Sequence, residues 1–198
     1  KELLELYKKG VMQKIFNQEI RFKDKNSNDY PEWEEKRLGE VVSNRKSSLL
    51  AREINKNHKK YPVYGADKIL GYSDEYQVEE NFVSIVKDGA GVGRVRFCEG
   101  EASVVGTLDI LLPKGDNNIY FSYLLLSILK LRRYVVGSTI PHLYFKDYRN
   151  LKVEVPQLRI QIKISKFLKL LGKRISCVDK SAQKLNVFKK GLLQKMFI

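Results

Sequence analysis

Apolar positions toward the C-terminus recur at steps of three and four: Ile164, Leu168, Leu171, Ile175, Val178, Ala182, Leu185, Leu192 and Met196, with Lys189 in the one gap. Residues three and four apart share a helix face, so this spacing predicts a long coiled-coil-like helix over 157–198. Pro156 suits the position just before its start, whereas Gly172 and Gly191 mark bends or close helix contacts. At about 1.5 Å per residue such a helix reaches roughly 60 Å, more than a small domain needs for its own closure. The seam therefore calls for a helical partner, with Ile164, Leu168, Leu171, Ile175, Val178, Leu185 and Leu192 as its pairing positions.

The middle of the chain changes period. Short strand-like runs fall at 61–64, 82–87, 92–98, 102–105, 108–112 and 151–155. In the 92–98 run, Arg94 and Arg96 alternate with Val95 and Phe97, which gives a half-buried strand with arginines on its open face. Between the last two runs lies a Leu-rich segment, 119–136. Asp116 and Asn117 stand before it as cap candidates and Gly137 after it as a stop, so it reads as a buried helix. The polar stretch after Phe22, followed by Pro31 and Trp33, suits a chain entering a new domain. The expected fold is α+β: the end of a helix over 1–22, a mixed domain over 23–156, and the long helix over 157–198.

A repeat joins the two ends. Residues 7–16 read YKKGVMQKIF and residues 188–197 read FKKGLLQKMF, identical at six of ten positions and conservative at the rest. Two copies of one helix end thus bracket a globular body. The first copy starts in mid-helix, so the chain is expected to be the second half of a longer, internally duplicated protein.

Charge sharpens this picture. The 198 residues carry 37 Lys and Arg against 23 Asp and Glu, for a net +14 and a pI near 9.6. From position 157 onward there are eleven basic residues and one acid, Asp179, so most of the excess lies in the helical tail. Such a balance favours a polyanionic partner. The 43% hydrophobic content supports a real core and excludes disorder as the main state. Two cysteines, Cys98 and Cys177, are too few and too far apart for a disulfide framework, which suggests a reducing cytosol. The longest apolar run, 119–131, is shorter than the roughly 18 residues of a membrane span; a cytoplasmic protein with no membrane partner is expected.

Catalytic signals are nearly absent. The GxGxG at 89–93 lacks the following helix that a dinucleotide site requires and reads as a Gly-rich hairpin, with Lys87 and Arg94 flanking it as phosphate contacts. His58 and His142 lie far apart without acidic clusters, so no metal site is expected. Asp109 and Glu99 with Lys114 imitate a nuclease set, but such residues recur in any charged domain. Binding loops are more evident. The 43–68 segment carries Arg45, Lys46, Arg52, Lys56, Lys59, Lys60 and Lys68 interleaved with Tyr61 and Tyr64, a basic patch with aromatics. The 135–156 segment offers Ser138, Thr139, His142, Tyr144, Lys146 and Arg149. Lysine and arginine neutralise phosphates, and short hydroxyls, His and Tyr suit base edges. The candidate DNA contacts are Arg45, Lys46, Lys56, Lys59, Lys60, Tyr64 and Lys68 in the first segment, Lys87, Arg94 and Arg96 beside the glycines, and Ser138, Thr139, His142, Tyr144 and Lys146 in the second segment.

In order along the chain, YPVYGADKILGYSDEY, FVSIVKDGAGVGRVRF, GSTIPHLYFKDYRNLKVEVP and KKGLLQKMF resemble the second target-recognition domain and conserved helix of a type I restriction-modification specificity subunit. One departure stands out: such helices often open with Pro, three residues, then Glu-Gln and an Ile three further on. Here Pro156, Gln161 and Ile164 match while Ile160 replaces the Glu. The resemblance implies a non-catalytic subunit that reads one half of an interrupted site on double-stranded DNA. It implies that the helices set the spacing and dock modification (methyltransferase) subunits, which use S-adenosylmethionine, with restriction subunits joining for ATP- and Mg-dependent cleavage. No cofactor is expected on this chain itself. An isolated half is expected to pair as a homodimer through its helices. Two other readings stay open: a coiled-coil scaffold, and a small nuclease acting alone.

Overall fold

The computed structural model describes residues 2–54 and 60–196, in two compact units: Pro31–Ile162, and Lys1–Tyr30 together with Lys163–Ile198. Lys56, Lys59 and His58 lie outside the described residues.

The Pro31–Ile162 unit is layered. After β1 (Glu34–Arg37) and the short α2 (Leu38–Val41), β2 (Val42–Lys46) enters a four-stranded antiparallel sheet. A second sheet of three strands holds β3 (Tyr61–Tyr64), β4 (Ile69–Ser73) and β7 (Ser103–Val104). The four-stranded sheet is completed by β5 (Phe82–Val86), β6 (Val95–Cys98) and β8 (Leu108–Pro113), in the order β2-β8-β5-β6. Every residue of β5, FVSIV, is buried. Such continuous burial requires cover on both faces. On one side Phe82, Val86, Cys98 and Ile110 join Val63 and Val104 of the three-stranded sheet in one apolar cluster. On the other, α3 (Ile119–Ile128) packs on the sheet, with Phe97 edge-on to Tyr120 at 5.0 Å. The unit ends with α4 (Phe145–Tyr148), β9 (Lys152–Val155), which pairs antiparallel with β1, and the first turn of α5 (Leu158–Met196).

Several expectations are corrected. The run expected at 92–98 becomes a strand only from Val95. Gly89, Gly91 and Gly93 sit at φ +81°, +88° and +82°, so the backbone there is a turn that L side chains rarely adopt and not a pleated strand. The expected 119–136 helix stops at Ile128, where Leu129 turns extended, and a 3-10 turn at Leu131–Tyr134 buries Leu131. Its cap is Asn118, whose side chain accepts from the Phe121 N–H at 3.0 Å, rather than Asp116 or Asn117. Gly137 is no helix stop. It has φ +89°, and a Cβ there would lie 2.5 Å from the Ile140 carbonyl, so it belongs to a tight hairpin. Three strands, β1, β2 and β4, were not expected.

Gln161 explains part of the helix-opening pattern. Only 2% exposed, it accepts from the Asn118 N–H at 2.8 Å and donates to the Pro156 carbonyl at 2.9 Å and to Asn117 Oδ1 at 3.1 Å. One side chain thereby ties the start of α5 to the start of α3. Ile160 is buried beside it, an apolar solution at that position.

In the other unit, α1 (Glu2–Phe16) accompanies the greater part of α5. Ile15, Ile164, Leu168 and Ile175 are buried and Leu171 half-buried. Phe22 meets Phe167 edge-on at 5.8 Å, and a Cβ on Gly172 would lie 3.1 Å from Lys8 Nζ, a close helix approach. Helix α5 runs through Gly172 and Gly191 without a break. Further along, Val178, Leu185 and Leu192 are 56%, 68% and 47% exposed. Among the described residues no helix is long and apolar enough to cross a membrane.

Candidate nucleic-acid interface

A basic cleft in the Pro31–Ile162 unit, about 620 Å³, opens between β2, the turn after β5 and the segment around α4. Strand β2 reads VSNRK and is paired with β8 so that Asn44 lies opposite Leu111 and Lys46 opposite Asp109. Alternation places Asn44 and Lys46 on one face, toward the cleft, and Arg45 on the other. Strand β8 contributes Asp109, the one charged residue in an otherwise apolar strand. Lys87 and Asp88 come from the turn that follows β5, and His142, Tyr144, Phe145, Lys146 and Arg149 from the closing segment.

Backbone pairing fixes that segment. Val136 and His142 exchange N–H···O bonds of 2.8 and 2.7 Å, the Gly89 N–H donates to the Pro141 carbonyl at 2.9 Å, and the Leu143 N–H to the Lys87 carbonyl at 2.8 Å. The result is a hairpin whose tip, Ser138, Thr139 and Ile140, is exposed. His142 Nδ1 lies 2.8 Å from Asp88 Oδ1, and its ring is nearly parallel to Tyr144, 5.9 Å away with planes 9° apart. Lys146 sits 5.5 Å over the Tyr144 ring, a cation–π placement. Four cations against two carboxylates leave the cleft basic.

The floor is drier. Asp109, 2% exposed, takes the Lys87 ammonium at 3.4 Å on Oδ1 and the Asn44 amide at 3.0 Å on Oδ2. The Lys87 contact is an ion pair by distance without hydrogen-bond geometry, and Asp109 Oδ1 stays without a hydrogen-bond donor. Asn44 Oδ1 and the Tyr148 hydroxyl are likewise buried and unpartnered. Burial, with the nearby Asp109 charge second, pushes the Tyr148 phenol far above the ordinary tyrosine range.

Of the residues the sequence singled out, Lys46, Lys87, His142, Tyr144, Lys146 and Arg149 meet in this cleft, and Ser138 and Thr139 stand on the hairpin that feeds His142 into it. A separate group forms at the β3–β4 turn. Asp67 pairs with Arg94, its carbonyl accepts from Arg96, and Arg96 lies 5.8 Å over the Tyr64 ring. Lys68 closes the same turn, its carbonyl accepting from the Gly65 N–H; at the other end of β3, Lys60 sits 5.0 Å over Tyr61. Burial, with Cys98 and Glu99 nearby, raises the Tyr64 phenol. The nuclease-like trio is not assembled: Asp109 floors this cleft, Lys114 lines a different one with Glu34, Glu40 and Gln161, and Glu99 lines neither.

Sequence reasoning passed over Asn44, Asp88 and Phe145 and treated Asp109 as background. A usable signal existed for Asp109, a carboxylate inside the apolar run LDILL, because such a charge is buried only with partners.

The sequence pattern of the family described as "Type I restriction modification DNA specificity domain" matches residues 30–187. The chain is 26% identical over 197 residues to the type I restriction enzyme MjaVIII specificity subunit of Methanocaldococcus jannaschii, covering 92% of this chain and 46% of that protein. It is 29% identical over 166 residues to a putative type I specificity subunit of Mycoplasma genitalium, covering 81% and 43%. The crystal structure of a type I restriction-modification system S subunit from M. genitalium superposes with a TM-score of 0.72 at 22% identity, over 97% of this chain and 53% of that one. The chain spans about half the length of the relatives it matches.

Proposed function

Because this chain belongs to the family of type I restriction-modification DNA specificity domains, we propose that it reads one half of a bipartite site on double-stranded DNA through the basic cleft and the hairpin beside it. One observation carries the reading: residues far apart in sequence, Lys46, Lys87, His142, Tyr144 and Lys146, converge on one cleft that holds more positive than negative charge and a parallel aromatic pair. The cations suit phosphates, which position the protein without specifying sequence, and the hydroxyls, His142 and the aromatic rings suit bases, which specify it.

In this proposal the chain is not itself an enzyme. It docks methyltransferase (modification) subunits along its helices, and restriction subunits join that complex, so S-adenosylmethionine, ATP and Mg serve the partners. The exposed half of the seam, Val178, Leu185 and Leu192, supports a helical partner. The terminal repeat supports a two-fold arrangement, in which residues 188–196 of one copy take the kind of place that 7–15 take beside α5. The chain then acts in the cytoplasm as a homodimer of half-subunits.

Co-expression with its modification subunit alone, followed by mapping of methylated adenines, tests this. A symmetric interrupted motif is expected. Methylation without a motif, or failure to co-purify, contradicts it.

A further inference from the structure

Among the described residues of the Pro31–Ile162 unit, the two most exposed large apolar side chains, Ile140 at 56% and Val136 at 49%, belong to one short hairpin. A single exposed apolar side chain is ordinary. What sets Ile140 apart is the backbone that holds it in the open. A loose loop would fold its Ile back onto the domain, whereas this loop is tied. Val136 and His142 close its base with reciprocal N–H···O bonds, and the Pro141 carbonyl takes the Gly89 N–H from the turn after β5. Inside the loop Gly137, at φ +89°, folds so tightly that a Cβ would lie 2.5 Å from the Ile140 carbonyl. Pro141 restricts the residue before it to extended backbone, and that residue is Ile140.

The surroundings narrow what this tip meets. Arg132 and Arg133, exposed, stand just before the hairpin, and Lys146 and Arg149, exposed, follow it. Directly paired residues share a face, so Val136 lies beside His142 and extends the apolar surface of the His142–Tyr144 pair. Two apolar side chains fall far short of the roughly 800 Å² that each partner gives to a stable protein interface, and a cationic rim suits a polyanion. Between its phosphates a duplex offers an apolar side chain the stacked faces of its base pairs, and a step must open to expose them.

Resting on the DNA-recognition reading above, we propose that Ile140 is an apolar wedge: the hairpin tip enters a groove, Ile140 inserts between two adjacent base pairs and partly unstacks them, and the flanking cations hold phosphates on either side. Ile is among the side chains that kink duplexes in this way. Pyrimidine–purine steps, TA and CA/TG, open at least cost. Ile140 is then a specificity-determining residue that selects a flexible step without hydrogen-bonding its bases, while Ser138 and Thr139 beside it face base edges.

The test starts from the motif that the full chain enriches out of a randomised duplex pool. That motif is expected to hold a TA or CA step whose change to a purine–purine step weakens binding roughly tenfold. With 2-aminopurine in place of the adenine of that step, fluorescence should brighten on binding as stacking is lost. A nick in one strand at the step, with every base and phosphate retained, lowers the cost of opening and should tighten wild-type binding. Ile140→Ala, at an exposed site, should melt as the wild type does. It should nevertheless lose the brightening, the effect of the nick and all but about twofold of the step preference. Ile140→Met, which keeps the apolar bulk, should retain all three, and Lys146→Ala should weaken binding to every duplex but keep the brightening. A motif enriched without brightening at any of its steps, or brightening that persists in Ile140→Ala, overturns the wedge while DNA recognition stands. If no motif is enriched, the recognition reading fails and this one with it.

Discussion

Replacing Gln161 by Leu keeps the side chain's approximate bulk at a position only 2% exposed but removes all three of its hydrogen bonds, to the Asn118 N–H, the Pro156 carbonyl and Asn117 Oδ1. A typical bond contributes about 1 kcal/mol net, and a buried partner left unmet costs more, so the loss should be about 2–4 kcal/mol. Gln161→Glu is a sharper probe. It retains an acceptor for Asn118 but turns oxygen toward the Pro156 carbonyl and toward Asn117 Oδ1, while the Asn117 amide nitrogen is committed to the Lys114 carbonyl. The Glu variant should therefore be at least as unstable as Leu. The assay is urea unfolding followed by fluorescence of the single tryptophan, Trp33, which packs edge-on against Phe121 of α3 at 6.0 Å, next to the tied helix start. With an m-value of about 2 kcal/mol per molar, the midpoint should fall by roughly 1–2 M. A loss under about 0.5 kcal/mol for Leu, or a Glu variant more stable than Leu, would refute the view that Gln161 acts as a hydrogen-bonded tie.

Tyr148 sets an alkaline limit. Its folded phenol is raised above the ordinary value of 10.0, so its contribution is fully present below about pH 10 and declines as the unfolded phenol ionises, by up to about 1.4 kcal/mol per pH unit. Tyr148→Phe should flatten the fall in stability measured above pH 10, leaving a residual slope from Tyr64 and Tyr120, which are also raised. Thiol labelling of the native chain should stop at one group: Cys177 is exposed, whereas Cys98 is buried and its thiol is pushed up, chiefly by burial. Two fast equivalents at neutral pH would contradict that placement. Lys46→Ala, or Lys60→Ala just before β3, should weaken binding to all duplexes alike and lower the salt slope by about one, while Thr139→Ala should change which duplexes are preferred; titrations across salt and sequence separate the two.

The seam in α5 was legible because a step of three and four survives whatever packs on it, and Ile164, Leu168 and Ile175 are indeed buried. Apolar runs such as 82–87 and 108–112 were legible as strands for a similar reason. Strands β1, β2 and β4 were not. EEKR and VSNRK carry charge because they lie at edges or open faces, and their pairing partners, β9 and β8, are far away in the chain. The end of α3 was lost because nothing in SILKLRRYVV distinguishes a helix from a break followed by a 3-10 turn. In the cleft, basic and aromatic residues announced themselves by type. Asp109 and Asn44 did not, since their meaning comes from the register of β2 against β8, which local pattern does not encode.

Sequence-specific recognition of DNA by this chain is tested by letting the full chain select from a randomised duplex pool at about 0.15 M salt and sequencing what it retains. One short enriched motif is expected, bound with a steep dependence on salt. Retention of the pool without enrichment, at any salt that permits binding, would contradict it.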